Sequence, residues 1–316
     1  MHISSYTKGL HDLGCSVYAY LQPDGSWGWS NAGLVTDSGT SLLVDTLFDL
    51  NLTQEMLDTM RRAVPATPIS TVVNTHANGD HCFGNQLVSD ALIISSAQTA
   101  QEMTAEGASP ATFAALCRQS PQLGLCGVFL KHAFGSFDFE DITLTLPQKT
   151  FEGELTLKVG EKEVQLIEVG PAHTRGDTLV YVPEDRVIFT GDIIFIGSHP
   201  IIWAGPISNW LRACDRILSL DVETIVPGHG PITDKKGVIE IKGYLEYVFD
   251  QARQRYEAGM SALDAAQDIP LDRYASWMDG ERIVVNVASI YQELSGNEAS
   301  LDIVNLLTQM GSWLLR

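Results

Sequence analysis

The chain has 316 residues, 45% of them hydrophobic, enough for a sizeable core in one large or two ordinary domains. Its 39 acidic residues against 20 basic ones leave a formal charge of −19, which repels phosphate backbones and anionic bilayers and so argues against nucleic acid and membrane surfaces as partners. Ordinary solubility accounts for the same excess, and small molecules or carrier-bound acyl groups suit it better.

The first residues, MHISSYTKGLHDLG, contain no apolar h-region, and no uninterrupted apolar run reaches the ~18 residues of a membrane helix. Neither export nor a membrane span is expected. The five cysteines, Cys15, Cys82, Cys117, Cys126 and Cys214, are odd in number, widely spaced and without a C-x-x-C pair, the usage of reduced thiols in a cytoplasmic protein. Cys82 adjoins His81, yet a small buried apolar role suits it better than one facing a metal.

Residues 15–21 and 33–44 read as strands on either side of a turn-rich QPDGSWGWSN segment. Trp27 and Trp29 sit in that turn, where aromatics either cap a core or line a pocket; Trp27 is the candidate pocket residue. In the following VDTLFDL, Asp45 or Asp49 is placed to orient metal ligands from behind. Leu52, Met56, Leu57 and Met60 then recur at helical spacing, with Thr53 near the helix start. A strand over 69–73 leads into THANGDHCFGN, which packs His76, Asp80 and His81 into six residues. Imidazole and carboxylate are the donors that zinc and similar divalent ions take, and three so close can converge only if the chain turns sharply, as Gly79 permits.

From 95 to 139 the pattern loosens into Ala-rich helix formers broken by Gly107, Pro110, Pro121, Gly124 and Gly127. Met103, Phe113, Leu116, Phe129 and Phe134 in this stretch either pack together or meet an acyl or aromatic substrate. Three later segments repeat one device, an apolar strand, a tight Gly or Pro turn and then a metal-competent side chain. GPAHTRGDT presents His173 after residues 164–169 and before 179–182. VIFTGDII presents Asp192 after 187–189, and IVPGHGPIT presents His229 after Ile225 and Val226. Singly each is weak, since a strand-end His or Asp is more often a hydrogen-bonded loop residue; four in one chain are a pattern. The loop over 195–210 holds His199, Trp203 and Trp210 and is a candidate pocket wall, with Trp203 and His199 as substrate contacts and His199 not counted as a ligand. Beyond 233 the periodicity is helical: 239–257, a capping-box start at Ser261 and Asp264, 283–294, and 301–315, whose Val304, Leu307, Met310, Trp313 and Leu314 form an apolar stripe suited to packing on the core or on a second copy.

Taken together, THANGDH, the AHTRGDT histidine, the FTGD aspartate and the PGHG histidine resemble the metallo-β-lactamase superfamily of binuclear metallohydrolases over roughly residues 18–233. The resemblance implies an α/β fold, an αββα sandwich of two mixed β-sheets flanked by helices, filling residues 1–234, with 95–140 as a helical lid-like insert and 235–316 as a C-terminal helical extension. It implies one metal bound by His76 and His173, a second by Asp80, His81 and His229, and Asp192 bridging them. It also implies a metal-bound hydroxide as nucleophile, with Asp80 as the catalytic carboxylate. The chain departs from the family's H-x-H-x-D-H at Asn78, a neutral amide and a poorer zinc ligand than imidazole, so the first site should be weakened. Zn2+, one or two per chain, is the expected cofactor, with Asn78 a weak or water-mediated ligand and Mn or Fe as alternatives.

The expected function is metal-dependent hydrolysis of an ester, thioester, lactone or related acyl bond of a small molecule. The alternatives are a β-lactamase, an alkyl sulfatase-like hydrolase, a di-iron redox enzyme and a non-catalytic protein holding a single metal. A homodimer through the C-terminal helices is the expected protein partner.

Overall fold

The computed structural model describes residues 6–105, 109–296 and 301–316, so Gly107 and the first five residues of the N-terminal segment lie outside the described residues. The chain opens with β1 (Gly9–Asp12) and β2 (Val17–Leu21), followed by the hairpin β3 (Ala32–Asp37) and β4 (Thr40–Val44). The single strand expected over 33–44 is thus folded back on itself. The cause is Ser38–Gly39, both at positive φ (48° and 79°), a two-residue turn whose twist matches that of paired strands, with Asp37 opposite Thr40.

Helix α1 (Leu50–Ala63) follows. Its N-cap is Asp49, whose carboxylate accepts from Leu52 N at 2.7 Å, so Asp49 serves the helix rather than the metal ligands. Strand β5 (Ile69–Val73) occupies the expected residues and runs parallel to β4. A one-turn helix α2 (Gly79–Cys82), strand β6 (Leu92–Ser96) and three helices, α3 (Ala97–Glu102), α4 (Pro110–Gln119) and α5 (Gly124–Phe134), lead to β7 (Lys149–Phe151). These strands form a seven-stranded mixed sheet in the order β1 to β7.

The second sheet has five strands, β8 (Glu154–Val159), β9 (Lys162–Glu168), β10 (Thr178–Val182), β11 (Val187–Phe189) and β12 (Thr224–Val226), with α6 (Ile207–Ser219) between the last two. Period-two alternation sorts each strand's side chains. On β10, Val180 and Val182 turn inward to meet Val44, Val73 and Ile94 of the first sheet, while Leu179 and Tyr181 face outward. The outer face of the first sheet is covered by Met56, Leu57 and Met60 of α1. That of the second is covered by α6 and by the C-terminal helices α7 (Lys235–Glu257), α8 (Ala262–Asp268), α9 (Ile283–Ser295) and α10 (Ile303–Trp313). The layers are therefore helix, sheet, sheet, helix. Residues beyond 234 share one continuous apolar cluster with the second sheet, and α10 lies against α5 with Gly311 admitting the Leu125 carbonyl.

Candidate metal centre

Each metal-competent side chain leaves the sheets where a strand stops. His76, Asp80 and His81 follow β5 through the sharp entry into α2, His173 follows β9, Asp192 follows β11 and His229 follows β12. Strand ends on the same edge of two packed sheets bring six side chains from four segments to one buried point. Their donor atoms form two trios, His76, His173 and Asp192, and Asp80, His81 and His229, with the atoms of each within 4.8 Å of one another.

Asp192 sits among four imidazoles. Its carboxylate oxygens lie 3.1 Å from His81 Nε2, 3.3 Å from His173 Nε2, 3.4 Å from His229 Nε2 and 3.8 Å from His76 Nε2. Asp80 Oδ2 is 3.3 Å from His229 Nε2. Gly228 makes the close approach possible: a Cβ there would stand 2.0 Å from Asp192 Oδ1.

Behind the rings, every Nδ1 meets an oxygen. His173 Nδ1 donates to Ile201 O at 2.8 Å, and His229 Nδ1 donates to Gly25 O at 3.2 Å. Asp45 serves two residues at once, taking His81 Nδ1 at 2.9 Å and the Thr75 hydroxyl at 2.7 Å on Oδ2. Because that hydroxyl donates to Asp45, its oxygen is the acceptor for His76 Nδ1 at 3.0 Å. All four imidazoles thus hold a proton on Nδ1 and turn Nε2 inward, bare in His76 and His173, which burial keeps neutral, whereas His81 and His229 would give up an Nε2 proton on taking an ion. Inside, His76 Nε2, His81 Nε2 and Asp192 Oδ1 are buried with no hydrogen-bond partner. Unsatisfied donor atoms of that chemistry are what divalent ions fill, so the residues fit the metals implied by the motifs.

Charge divides the trios. Burial, together with neighbouring His81, holds His76 well below its usual pKa, and burial lowers His173. Burial opposes charge on His81 and His229 too, but Asp192 and Asp80 prevail, raising His81 well above the usual range and His229 to about 9. Asp192, despite burial, is kept well below the ordinary carboxylate range by the surrounding imidazoles. Asn78 adds to the asymmetry, since its Nδ2 donates to His173 Nε2 at 3.1 Å and occupies the lone pair an ion would need.

A cavity of about 300 Å3 opens onto the metal end, where Asn78, Asp80, His173, Asp192 and His229 form its polar floor. Its other walls include Trp27, Phe48, Phe113, Phe134, Phe195 and Trp203. Of the pocket residues expected from sequence, Trp27 and Trp203 line it, as do Phe113 and Phe134 of the insert, whereas Phe129 packs behind Trp27 at 5.2 Å between ring centroids. His199 does not reach it. Its backbone N–H is tied to Met278 O, which sends the ring into the C-terminal helices, where Nδ1 meets Tyr244 Oη at 3.0 Å and Nε2 lies 3.1 Å from Tyr274 O. Burial and then Arg282 lower its pKa to about 4, so the imidazole is neutral. Phe195 and Ile201 line the cavity from the 195–210 loop expected as its wall, whereas Phe48 and Arg282 line it without any sequence signal beyond an apolar or charged letter.

A family model for the metallo-beta-lactamase superfamily matches residues 25–229, and the chain belongs to that superfamily of metal-dependent hydrolases. Among curated relatives, the 2,4-dinitroanisole O-demethylase subunit alpha of Nocardioides sp. (strain JS1661) is 24% identical over 295 residues, covering 89% of this chain and 74% of its own. Acyl-coenzyme A thioesterase MBLAC2 of Gallus gallus is 29% identical over 84 residues, which is 25% of this chain and 29% of the thioesterase. Among solved structures, a stereoselective inverting sec-alkylsulfatase from Pseudomonas sp. superposes with a TM-score of 0.67 at 15% identity over 95% of this chain. The chain spans about half of that sulfatase, 52%. A metallo-beta-lactamase from Pontibacter korlensis gives a TM-score of 0.55 at 18% identity, covering 76% of this chain and 99% of the lactamase. At such identities the structural likeness speaks for the fold.

Proposed function

We propose that the protein is a metal-dependent hydrolase of small acyl compounds, an ester, thioester or lactone with an aromatic or aliphatic body. The observation that carries this reading is the convergence of unsatisfied Nε2 and carboxylate atoms at the polar floor of a cavity whose walls are aromatic. His76, His173 and Asp192 would hold one ion and Asp80, His81 and His229 the other, with Asp192 between them; zinc suits these donors best, and manganese or iron would be accepted. Bound divalent ions lower the pKa of water from 15.7 to about 7 and polarise a carbonyl. Asp80, on the cavity floor, takes the proton released at the attacking water and returns it to the leaving group. The aromatic walls would hold the acyl chain, and a water activated by bound ions would serve as the attacking group in place of a serine or cysteine. The five free cysteines fit a cytoplasmic location, the charge of −19 disfavours nucleic acid, and exposed Val304 on the last helix with Leu315 just beyond it suits a homodimer. Among the described residues no helix is long and apolar enough to cross a membrane.

A second reading is hydrolysis of an activated aryl ether, favoured by the relative described as a dinitroanisole O-demethylase and by the aromatic cavity. Purified protein assayed with phenyl acetate, a thiol ester, a lactone, a β-lactam, an alkyl sulfate and 2,4-dinitroanisole separates these. Turnover of the acyl substrates that chelator abolishes and zinc restores is expected. Turnover of the anisole alone supports the second reading, and two tightly held ions without acyl turnover sink the first.

A further inference from the structure

Residues 199–202 lead to Trp203 and include Ile201, two walls of the cavity, yet they belong to no helix or strand, so no ladder serves their carbonyls. All four are nevertheless taken, one after another. His199 O accepts from Arg282 Nη1 at 2.7 Å, Pro200 O from Asn286 Nδ2 at 2.9 Å, Ile201 O from His173 Nδ1 at 2.8 Å and Ile202 O from Ser289 Oγ at 2.6 Å. Three of these donors belong to α9 or to the residue before it, outside the stretch 25–229 that matches the family model. The fourth is a metal-end imidazole.

Asn286 stands at the middle of this arrangement. It is fully buried, and besides donating to Pro200 O it accepts the Ile202 N–H on Oδ1 at 2.9 Å. One amide therefore grips the chain on both sides of Ile201 and fixes the direction of the carbonyl between. The Tyr244 hydroxyl, 3.3 Å from Asn286 Nδ2 and 3.0 Å from His199 Nδ1, closes the network. An asparagine inside a helix is a poor helix former, and its burial is costly unless both ends of the amide are bonded. An apolar side chain would pack α9 at less cost, so what the amide contributes here is its hold on the loop. That loop in turn holds His173 twice: Ile201 O takes the ring's Nδ1 proton, and Trp203 N and Ala204 N donate to the His173 carbonyl at 3.0 and 3.1 Å.

We infer that Asn286, with Ser289 one turn further along α9, is a positioning residue for His173. The C-terminal helices thereby set the direction of the imidazole that would hold an ion with His76 and Asp192. His81 and His229 are backed instead by Asp45 and by Gly25 O, so the effect is confined to one ion. The inference rests on the metal centre of the proposed function and not on which bond is cleaved.

The test compares N286A with V287A, a change at an equally buried apolar residue of the same helix. By chelator competition on the zinc-loaded protein, N286A should weaken one ion about tenfold and leave the other unchanged. In an H76A background, where that ion is already lost, N286A should cost nothing further. V287A should lower the melting temperature and leave both affinities as they are. In the metal-free protein the His173 Nδ1 proton, assigned by its absence from H173A, should give a downfield NMR resonance that N286A moves upfield and exposes to faster exchange, and that V287A leaves in place. Unchanged affinities and an unchanged resonance in N286A, equal weakening of both ions, or the same changes in V287A overturn the inference. If N286A does not fold, S289A decides by the same readouts. If the wild type takes up no ion, the metal reading has failed, and the resonance of the metal-free protein decides alone.

Discussion

The two halves of the metal centre share a carboxylate and a fold, yet they differ in charge and completeness. Asp80, His81 and His229 form a trio in which two imidazoles are drawn to the charged form by the carboxylates, and each ring is backed by an oxygen. His76, His173 and Asp192 form a trio of two neutral imidazoles with the Asn78 amide against one of them. An ion held by His76, His173 and Asp192 would compete with the Asn78 amide for His173 Nε2, an obstacle absent from the trio of Asp80, His81 and His229. One side chain, Asn78, thus suffices to make two similar donor sets on one scaffold unequal in the lone pairs they offer.

The sharpest way to break this comparison is to remove one ring from each half. His229→Ala should drop turnover to that of chelated protein and remove the tightly held ion by elemental analysis, while His76→Ala leaves measurable activity and a retained ion. Equal losses would show that the halves are equivalent. Next in size, Asp80→Ala should cost about 10²–10⁴ in kcat with circular dichroism unchanged, the range of a lost proton carrier. Asp45→Ala is expected to weaken metal affinity by about 10–100-fold in chelator competition, because it releases His81 directly and His76 through Thr75. Both trios should suffer from that change. The smallest effect is a gain: Asn78→His should raise the affinity of the weaker ion on the order of tenfold by removing a competitor and adding an imidazole. Unaltered affinity would mean that Asn78 does not set the difference.

Much of the centre is legible in the residues because its chemistry is local. A strand, a Gly or Pro turn and a ligand recur four times, and the strands over 69–73 and 187–189 stand where the apolar runs place them. Helix capping is equally local, as at Ser261, whose hydroxyl accepts from Asp264 N at 3.2 Å. The hairpin at Ser38–Gly39 has a local signal as well, a Ser-Gly pair, which the longer apolar run obscures. Where a side chain points is less local. His199 and Trp203 sit four residues apart in one loop, yet one turns into the C-terminal helices and the other onto the cavity, since backbone bonds to Met278 and His173 orient them differently.

From its letters alone the chain specifies which side chains have metal-competent donors and the order in which strands deliver them, because ligand chemistry and turn geometry are properties of a few consecutive residues. Folding in three dimensions decides the rest. It brings Asp45 behind two rings, gathers Phe48, Phe195 and Trp203 around one space and carries Arg282 from the far end of the chain to Trp27. Those contacts join residues up to 255 positions apart in sequence, from Trp27 to Arg282, and arise only when apolar faces of two sheets and their helices are buried together.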